Sequence, residues 1–171
     1  SEENIKAAKE HETERLKFIR HDMRESLLAE TFDYVVNLFT SFGYFEKIEE
    51  NEAVLNSIFT ELKPKGKVVI DFLNVHQVVS GLVPSEERII DGVKFNISRE
   101  VDGESILKKI RIDDDGKIME YEERVKALSK MDFIGMFHRQ GLEIIDTFGN
   151  YHLDKFDEDD SPRLILIGRK P

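Results

Sequence analysis

The sequence lacks cysteine, contains no G-x-G tripeptide and has no long apolar run. The absence of cysteine excludes disulfide bonds, thiolate zinc sites and iron–sulfur clusters, and it is compatible with the cytoplasmic location that we expect. The absence of G-x-G means that no glycine-rich turn for a phosphate or a dinucleotide is visible. No stretch approaches the roughly 18 consecutive apolar residues that a membrane-spanning helix needs, so we expect no membrane partner.

Basic residues are scarce relative to acidic ones: 25 Lys and Arg face 35 Asp and Glu, which gives a net charge of −10. This balance argues against a nonspecific nucleic-acid binder, because such a protein needs a basic surface. The length of 171 residues, 40% of them apolar, suits one domain with room for a small appendage. A small molecule is therefore the expected partner.

Segments of strand and helix character alternate over the first half of the chain. Residues 16–20, 32–38 and 67–73 have the short apolar runs of strands. Residues 32–38 carry few charges, which predicts a parallel strand in the sheet interior, buried on both faces. A helix precedes 67–73, with Asn51 as its expected cap and these apolar side chains at helical spacing: Val54, Leu55, Ile58, Phe59 and Leu62. This alternation predicts a doubly wound α/β fold.

Residues 87–127 have a different character, because Asp-Gly occurs three times between strand-like segments: Asp91-Gly92, Asp102-Gly103 and Asp115-Gly116. Asp-Gly favours the type I′ hairpin turn, whose two central residues both need positive φ. We therefore predict an antiparallel meander of about four strands with one dry and one wet face. A helix capped by Ser129 and two closing antiparallel strands, 142–151 and 164–169, complete the expected order.

Three motifs follow one another along the chain. They are the pair Asp22-Met23, the strand 32–37 leading into the aromatic loop 39–44, and Leu-Lys-Pro-x-Gly at 62–66. In this order the chain resembles the class I S-adenosylmethionine-dependent methyltransferases. More narrowly, it is similar to the small-molecule N- and O-methyltransferases with an antiparallel insertion after their fifth strand. The resemblance implies a partial Rossmann-like methyltransferase core at 1–86 and 128–171. Residues 87–127 would be the insertion, an acceptor lid or a dimerisation surface.

The first strand of that family, with its glycine-rich cofactor loop, and the second strand have no counterpart in this sequence. The resemblance therefore implies an N-terminally truncated core whose methyl transfer is absent or impaired in this chain alone. With the family's strand order, 3-2-1-4-5-7-6, residues 32–38 would form an open apolar edge, which is a template for another chain. We expect a second copy, strand exchange or a rearrangement of 1–31 to cover it. The alternative function is a non-catalytic assembly module that forms a homodimer through this edge.

The resemblance implies S-adenosylmethionine as the cofactor and assigns four residues to it. Asp22 would accept a hydrogen bond from the adenine amino group, and Met23 would lie against the ring. Asn37 and Leu38, at the end of a strand, would lie near the methionine portion. The alternatives are a turn or capping role for Asp22 and a strand-end role for Asn37.

Five further residues are candidates for the methyl acceptor. Phe42, Tyr44 and Phe45 would form its wall, and the Tyr44 hydroxyl is a candidate catalytic group that orients or deprotonates it. Asn74 would contact the acceptor, and His76 is a candidate base near neutral pH. Core packing of the aromatic residues and a solvated loop histidine are the alternatives. Because the histidines lack ligand spacing, we expect no metal site.

Overall fold

A computed structural model describes residues 2–27 and 31–171. Its helices are α1 (Glu2–Lys9), α2 (Ile48–Glu61), α3 (Val75–Ser80) and α4 (Lys130–Arg139). Its strands are β1 (Phe32–Asn37), β2 (Leu62–Leu73), β3 (Ser85–Ile90), β4 (Val93–Asp102), β5 (Ser105–Asp114), β6 (Lys117–Lys126), β7 (Glu143–Phe148) and β8 (Arg163–Arg169). Within these ranges, no helix has the length and apolar character to cross a membrane.

Four strands form what we call the core sheet, in the order β1-β2-β8-β7. β1 and β2 run parallel, with Tyr34 opposite Lys67 and Asn37 opposite Ile70. β8 is antiparallel to both of its neighbours, β2 and β7. The predicted parallel pairing of 32–38 with 67–73 and the predicted closing antiparallel pair are confirmed, and the chain has the expected α/β fold.

The hydrophobic core lies on one face of this sheet. Val68, Ile70 and Phe72 of β2 are fully buried on this face, together with apolar side chains of α2 and α4. The Phe133 ring of α4 packs 5.4 Å from the Phe42 ring and 5.1 Å from the Phe72 ring, centroid to centroid. Each fully buried side chain of this size stabilises the fold by about 1.5–3 kcal/mol. The two helices and β2 thus fix the position of the loop after β1, in which Phe42 lies.

The opposite face and the β1 edge are open among the described residues. Tyr34 and Val36 point to the same face as Val69 and are 65% and 59% exposed. The prediction that this strand lies in the sheet interior, buried on both faces, is wrong, because β2 is its one strand neighbour within the described ranges. The expected cover from residues 1–31 is not seen in their described part, since α1 has no buried residue.

The strand predicted at 16–20 is absent from the structure. This segment pairs with none of the described strands. Leu16 and Ile19 are 45% and 57% exposed. An apolar run becomes a strand only where a neighbouring backbone completes its hydrogen bonds, and no described strand lies beside this segment.

The helix cap predicted at Asn51 is also wrong. α2 begins at Ile48, one turn earlier, and Asn51 is fully buried inside it. Its Nδ2 donates to the carbonyl oxygens of Lys47 and Phe45, at 2.9 and 3.2 Å. The Asn51 side chain therefore connects the helix to the segment that follows the aromatic loop, a role different from that of an N-cap.

The predicted meander is confirmed as a second, antiparallel sheet, β3-β4-β5-β6, which we call the insertion sheet. The turns at 91–92 and 115–116 have positive φ at both central residues, as type I′ requires. The middle turn differs from the prediction, because Asp102 pairs with Ser105. Gly103 and Glu104 are therefore its central residues, and of these two only Gly103, at φ 60°, has a positive φ.

The apolar face of the insertion sheet is not dry, contrary to the prediction. Ile97 and Ile110 are half-buried, while Val101 and Tyr121 are 46% and 54% exposed. The hydrophobic residues of the sheet that are fully buried are Ile106, Leu107 and Val125. The sheet joins the core through this end, where the Lys126 amide donates to the Gly43 carbonyl at 2.8 Å.

Gly168 in β8 provides a test of this packing. A Cβ at this position would overlap the Phe137 ring and lie 2.8 Å from Val68 Cγ1. We expect Gly168→Ala to lower the free energy of unfolding by about 1–3 kcal/mol through overpacking, measured by urea denaturation. Gly135→Ala in α4 is the control. Its Cβ would meet the flexible end of Arg139, and helix propensity favours alanine by up to about 1 kcal/mol. Equal losses in both variants would contradict the packing described.

Candidate active site at the carboxyl ends of β1 and β2

β1 and β2 are parallel, so their carboxyl ends meet at one edge of the core sheet. In open α/β sheets, ligands bind beyond such strand ends. The aromatic loop follows β1, and α3 follows β2, with the short linker Asn74 between. Six of the nine candidate residues from the sequence form three groups around this edge, and two of the groups share Phe45.

The first group surrounds Asp22. Arg24 binds both carboxylate oxygens of Asp22, with Nε 3.0 Å from Oδ1 and Nη2 2.6 Å from Oδ2. The hydrogen bond from the Arg24 side chain holds the pKa of Asp22 at about 2, below its ordinary value of 3.8. The Arg24 amide also donates to Oδ1, so Asp22 has the turn geometry of the alternative interpretation. The carboxylate is therefore a fixed anion.

Arg24 also connects this group to the aromatic loop. Its Nη1 lies 2.5 Å from Glu50 Oε1, and its guanidinium lies 4.6 Å from the centre of the Phe45 ring. Asp22, Met23 and Phe45 line a shallow cavity of about 540 Å³. The predicted adenine pair, Asp22 and Met23, thus shares a cavity with a predicted acceptor residue.

The second group surrounds Tyr44. Tyr44 and Phe45 line a cavity of about 530 Å³ on the side of the insertion sheet, with charged residues of both signs: Glu46, Asp102, Glu104, Arg124 and Lys126. Burial, with a smaller contribution from Glu123, raises the pKa of the Tyr44 hydroxyl. The hydroxyl is thus protonated at neutral pH, and this favours orientation of an acceptor over its deprotonation.

Phe42 lies away from both cavities. Its ring is 1% exposed and packs against Phe133 in the core, so it has no surface left for an acceptor. The structure therefore supports the alternative of core packing for this residue and corrects its placement in the acceptor wall.

The third group, Asn74 and His76, lies apart from Tyr44. Nδ2 of Asn74 is buried and donates to the carbonyl oxygens of Glu158 and Ser161, both at 2.8 Å. His76 Nδ1 lies 3.3 Å from Asp159 Oδ1, and its side chain is 52% exposed. Both residues line a different, smaller cavity of about 220 Å³. Neither residue lines the Tyr44 cavity, and Asn74 anchors the acidic loop 157–161.

Asn37 and Leu38 lie at the end of β1. The Oδ1 atom of Asn37 is buried, and no hydrogen-bond partner for it is present among the described residues. A buried acceptor of this kind is uncommon in proteins and calls for an explanation. Leu38 is 38% exposed, and its carbonyl accepts from the amide and the hydroxyl of Ser41. The structure thus places both candidates beside the turn that follows β1.

A hydrogen-bonded cluster that sequence reasoning missed surrounds the buried Asp71, at the carboxyl end of β2. Asp71 is 1% exposed. Its Oδ2 accepts from the Phe39 amide at 2.8 Å and from the Tyr151 hydroxyl at 2.9 Å, and Arg163 Nε and Nη2 lie 2.8 and 2.7 Å from its Oδ1. Two features of the sequence could have indicated this pair. Asp71 ends one apolar strand, and Arg163 begins another, at 163–167.

The turn that this cluster holds is strained. Phe39 and Thr40 have φ angles of 57° and 59°, in the left-handed region that favours glycine. A β-branched residue there is an outlier, and each such residue costs on the order of 1–3 kcal/mol. Strain of this kind concentrates at functional sites, which supports this edge of the sheet as the candidate site.

Within the described ranges, no group of three His, Asp or Glu side chains has an arrangement that could hold a metal ion. The expected absence of a metal site stays a prediction.

Comparison with known proteins adds information on the fold. No protein-family model and no curated protein matches the sequence. A solved S-adenosylmethionine-dependent methyltransferase from Clostridium acetobutylicum is similar over 98% of this chain and 68% of its own, with a TM-score of 0.83 and 16% identity. The CcbJ methyltransferase from Streptomyces caelestis is similar over 88% and 62%, with a TM-score of 0.76 and 15% identity.

A third structure, the sugar N-methyltransferase KedS8 from a Streptoalloteichus species, is similar over 96% of this chain and 66% of its own, with a TM-score of 0.72 and 16% identity. The chain thus spans about two thirds of the length of these structures. At these identities the likeness shows a shared fold. The core sheet and the insertion sheet of this chain together form a methyltransferase-like α/β fold.

The Arg24 contact provides a test of the first group. We expect Arg24→Gln to return the pKa of Asp22 from about 2 toward 3.8, since the hydrogen bonds that stabilise its charged form are lost. The measurement is a carboxyl-carbon NMR titration of the aspartates. Arg20→Gln is the matched control, because Arg20 pairs with Glu2. An Asp22 pKa that stays near 2 in Arg24→Gln would contradict the described geometry.

Proposed function

We propose that this chain forms part of an S-adenosylmethionine-dependent methyltransferase that acts on a nitrogen or oxygen atom of a small-molecule acceptor. The observation that carries the proposal is that Phe45 lines two cavities. One cavity contains the predicted cofactor residues, Asp22 and Met23. The other contains Tyr44, the predicted acceptor residue. A transferase needs its donor and acceptor to lie next to each other, and these cavities share a wall.

The residues of the first cavity fit the proposed cofactor. Asp22 is an anion at physiological pH and has lone pairs beyond those that Arg24 uses, so it can accept from an adenine amino group. Met23 is 38% exposed and offers a thioether to the ring. Asn37 and Leu38, at the carboxyl end of β1, would lie near the methionine portion through their main-chain groups.

S-adenosylmethionine supplies an electrophilic methyl group when it is bound. The protein's own contribution is alignment of the acceptor, which requires no covalent enzyme intermediate. Tyr44, as a neutral hydroxyl, would hold the acceptor by a hydrogen bond, and Phe45 would limit its position. A base is needed only if the acceptor must lose a proton, and the position of His76 in a different cavity from Tyr44 does not favour it for this role.

The chemistry of the second cavity favours a polar acceptor. Arg124 and Lys126 form ion pairs with Asp102 and Glu104, at 2.6 and 3.2 Å, along one side of the cavity. Hydroxyl and amino groups of an acceptor can exchange hydrogen bonds with such pairs. KedS8, whose fold is similar, is a sugar N-methyltransferase, and an acceptor of comparable polarity suits this cavity.

The proposed organisation keeps the boundaries derived from the sequence: a core at 1–86 and 128–171 and an insertion at 87–127. The insertion would serve as the acceptor lid, since its residues line the Tyr44 cavity. Because the sequence has no glycine-rich turn, we expect weak cofactor binding and impaired transfer by this chain alone. The cytoplasm is the proposed location.

The exposed β1 edge favours a second candidate, a homodimeric assembly module without catalysis. Tyr34 and Val36 are largely exposed, and an open strand edge offers its backbone groups to another chain. The two candidates differ in what they bind, so two measurements separate them.

Affinity for S-adenosylhomocysteine, measured by isothermal titration calorimetry, tests the transferase. We expect detectable binding and a loss of about ten- to hundredfold in Asp22→Asn, because hydrogen bonds to an ionised acceptor are among the stronger ones. Asp33→Asn is the control, since Asp33 of β1 pairs with Lys63 of β2, at 2.9 Å, outside both cavities. Equal affinity of the two variants would argue against the donor site. No binding by the unaltered chain at millimolar ligand would favour the assembly module.

Mass in solution tests the assembly module. If β1 pairs with a second copy, light scattering should show twice the monomer mass of 19.9 kDa, and Val36→Lys should shift the protein to the monomer. Ile89→Lys on the insertion sheet is the control, because Ile89 is similarly exposed, at 68%. A monomer at about 100 μM for the unaltered chain would contradict the module.

A further inference from the structure

We propose that Asp71 is a positioning residue of the candidate site. Its carboxylate, held by Arg163, would keep the turn at Phe39 and Thr40 in its left-handed conformation. This inference rests on the proposed function, because it assigns a role in ligand binding to a residue that contacts neither of the two cavities described above.

The contacts of Asp71 are concentrated at and around the turn formed by Phe39 and Thr40. The Phe39 amide and the Tyr151 hydroxyl bind its Oδ2, and the Thr40 amide donates to its main-chain oxygen at 3.0 Å. Arg163, which pairs with Oδ1, also reaches Thr40 Oγ1 through Nη2, at 3.0 Å. The two charged side chains thus make two bonds to the turn, one to the Phe39 amide and one to Thr40 Oγ1. The Asp71 main-chain oxygen adds a third, to the Thr40 amide.

A buried ion pair is a poor way to gain stability alone, since desolvation of both charges offsets much of their attraction. Asp71 is 1% exposed, and the Arg163 side chain is 22% exposed. An apolar pair would fill this space at lower cost. A requirement to fix a conformation that Phe39 and Thr40 avoid by themselves explains why charged residues stand here.

The turn displays aromatic groups that the core does not bury. Phe39 is 77% exposed and Tyr151 is 62% exposed, and both are bound to the same Asp71 oxygen. The hydrogen bond to Asp71 is also the main cause of the raised pKa of the Tyr151 hydroxyl, so this hydroxyl stays a donor at neutral pH. Tyr151 is therefore held beside the turn as a hydrogen-bond donor to Asp71.

The position of the turn in the chain connects it to the site. Asn37, with its unpaired buried Oδ1, precedes the turn, and Tyr44 follows it. A change of φ at Phe39 or Thr40 re-aims the backbone on both sides. Asp71 thus acts through the turn on the groups proposed to meet the cofactor and the acceptor.

The test combines two substitutions with two readouts. Asp71→Asn keeps the shape but removes the charge and replaces one acceptor oxygen by an NH2 group, which must face either Arg163 or the Phe39 and Tyr151 donors. Thr40→Gly places at the turn a residue that adopts positive φ freely. The readouts are amide hydrogen exchange at Phe39 and Thr40 and the affinity for S-adenosylhomocysteine. Glu86→Gln, which weakens the Arg99 ion pair on the insertion sheet, is the control.

In Asp71→Asn we expect exchange at the two amides to accelerate about ten- to hundredfold, and the affinity to fall about tenfold. Adding Thr40→Gly should restore a large part of the affinity, since glycine adopts a positive φ without the support of Asp71. A purely structural ion pair would not be rescued in this way. Unchanged exchange at the two amides, unchanged affinity in Asp71→Asn, or failure of the rescue would each overturn the proposal.

If Asp71→Asn does not fold, Tyr151→Phe removes a single bond to Oδ2 and leaves the ion pair intact. We then expect a two- to tenfold acceleration of exchange at Phe39, and no change there would overturn the proposal. Failure of the unaltered chain to bind S-adenosylhomocysteine would count against the proposed function, while the exchange data would still decide whether Asp71 holds the turn.

Discussion

The parallel pairing of β1 with β2 is the constraint on which the rest of the structure depends. Parallel strands bring their carboxyl ends to one edge, so the loop after β1 and the acid at the end of β2 become neighbours although about 30 residues separate them. The hydrogen bond between the Phe39 amide and Asp71 exists only because of this pairing. An antiparallel arrangement would place these groups at opposite ends of the sheet.

The same pairing leaves unequal surfaces on the two sides of the core sheet. One face is covered by α2 and α4, whereas the other presents Tyr34 and Val36 beside a strand edge that no described strand pairs with. The insertion sheet repeats this pattern, with a half-open apolar face and a single buried end at the core. These two apolar faces, open among the described residues, are the observation that favours an assembly module beside the proposed transferase.

Periodicity and turn chemistry predicted much of the fold, because both act locally. The parallel pair, the meander and the closing strands follow from apolar runs and Asp-Gly turns that require few long-range contacts. The failures at residues 16–20, at 32–38 and on the apolar face of the insertion sheet concern pairing or burial, which depend on a neighbour. The cap at Asn51 and the middle Asp-Gly turn are local predictions that also failed. An apolar run indicates that a segment can be buried, but whether it is buried depends on which other elements of the fold pack against it.

The site was predictable to a smaller extent, for a related reason. Asp22, Met23 and Tyr44 lie in loops, where a motif marks a residue directly, and the structure places them around Phe45. Phe42 and Asn74 also lie in such loops, but the fold uses the first in the core and the second as an anchor. The Asp71–Arg163 pair joins positions 92 residues apart, and no local pattern contains such a pairing.

The electrostatics of the two cavities suit alignment better than proton transfer. The pKa of Asp22 is held at about 2 by Arg24, and the pKa of Tyr44 is raised above its ordinary value of 10.0 by burial and by Glu123. Both groups therefore keep one protonation state from weakly acidic to weakly basic pH, so neither exchanges a proton in that range. A transferase with these residues would depend on an acceptor that arrives as its own nucleophile, such as an uncharged amine, and the protein would contribute geometry. Strain held at Phe39 and Thr40 is consistent with that role, because a site that works by alignment gains from a backbone fixed before the ligand binds.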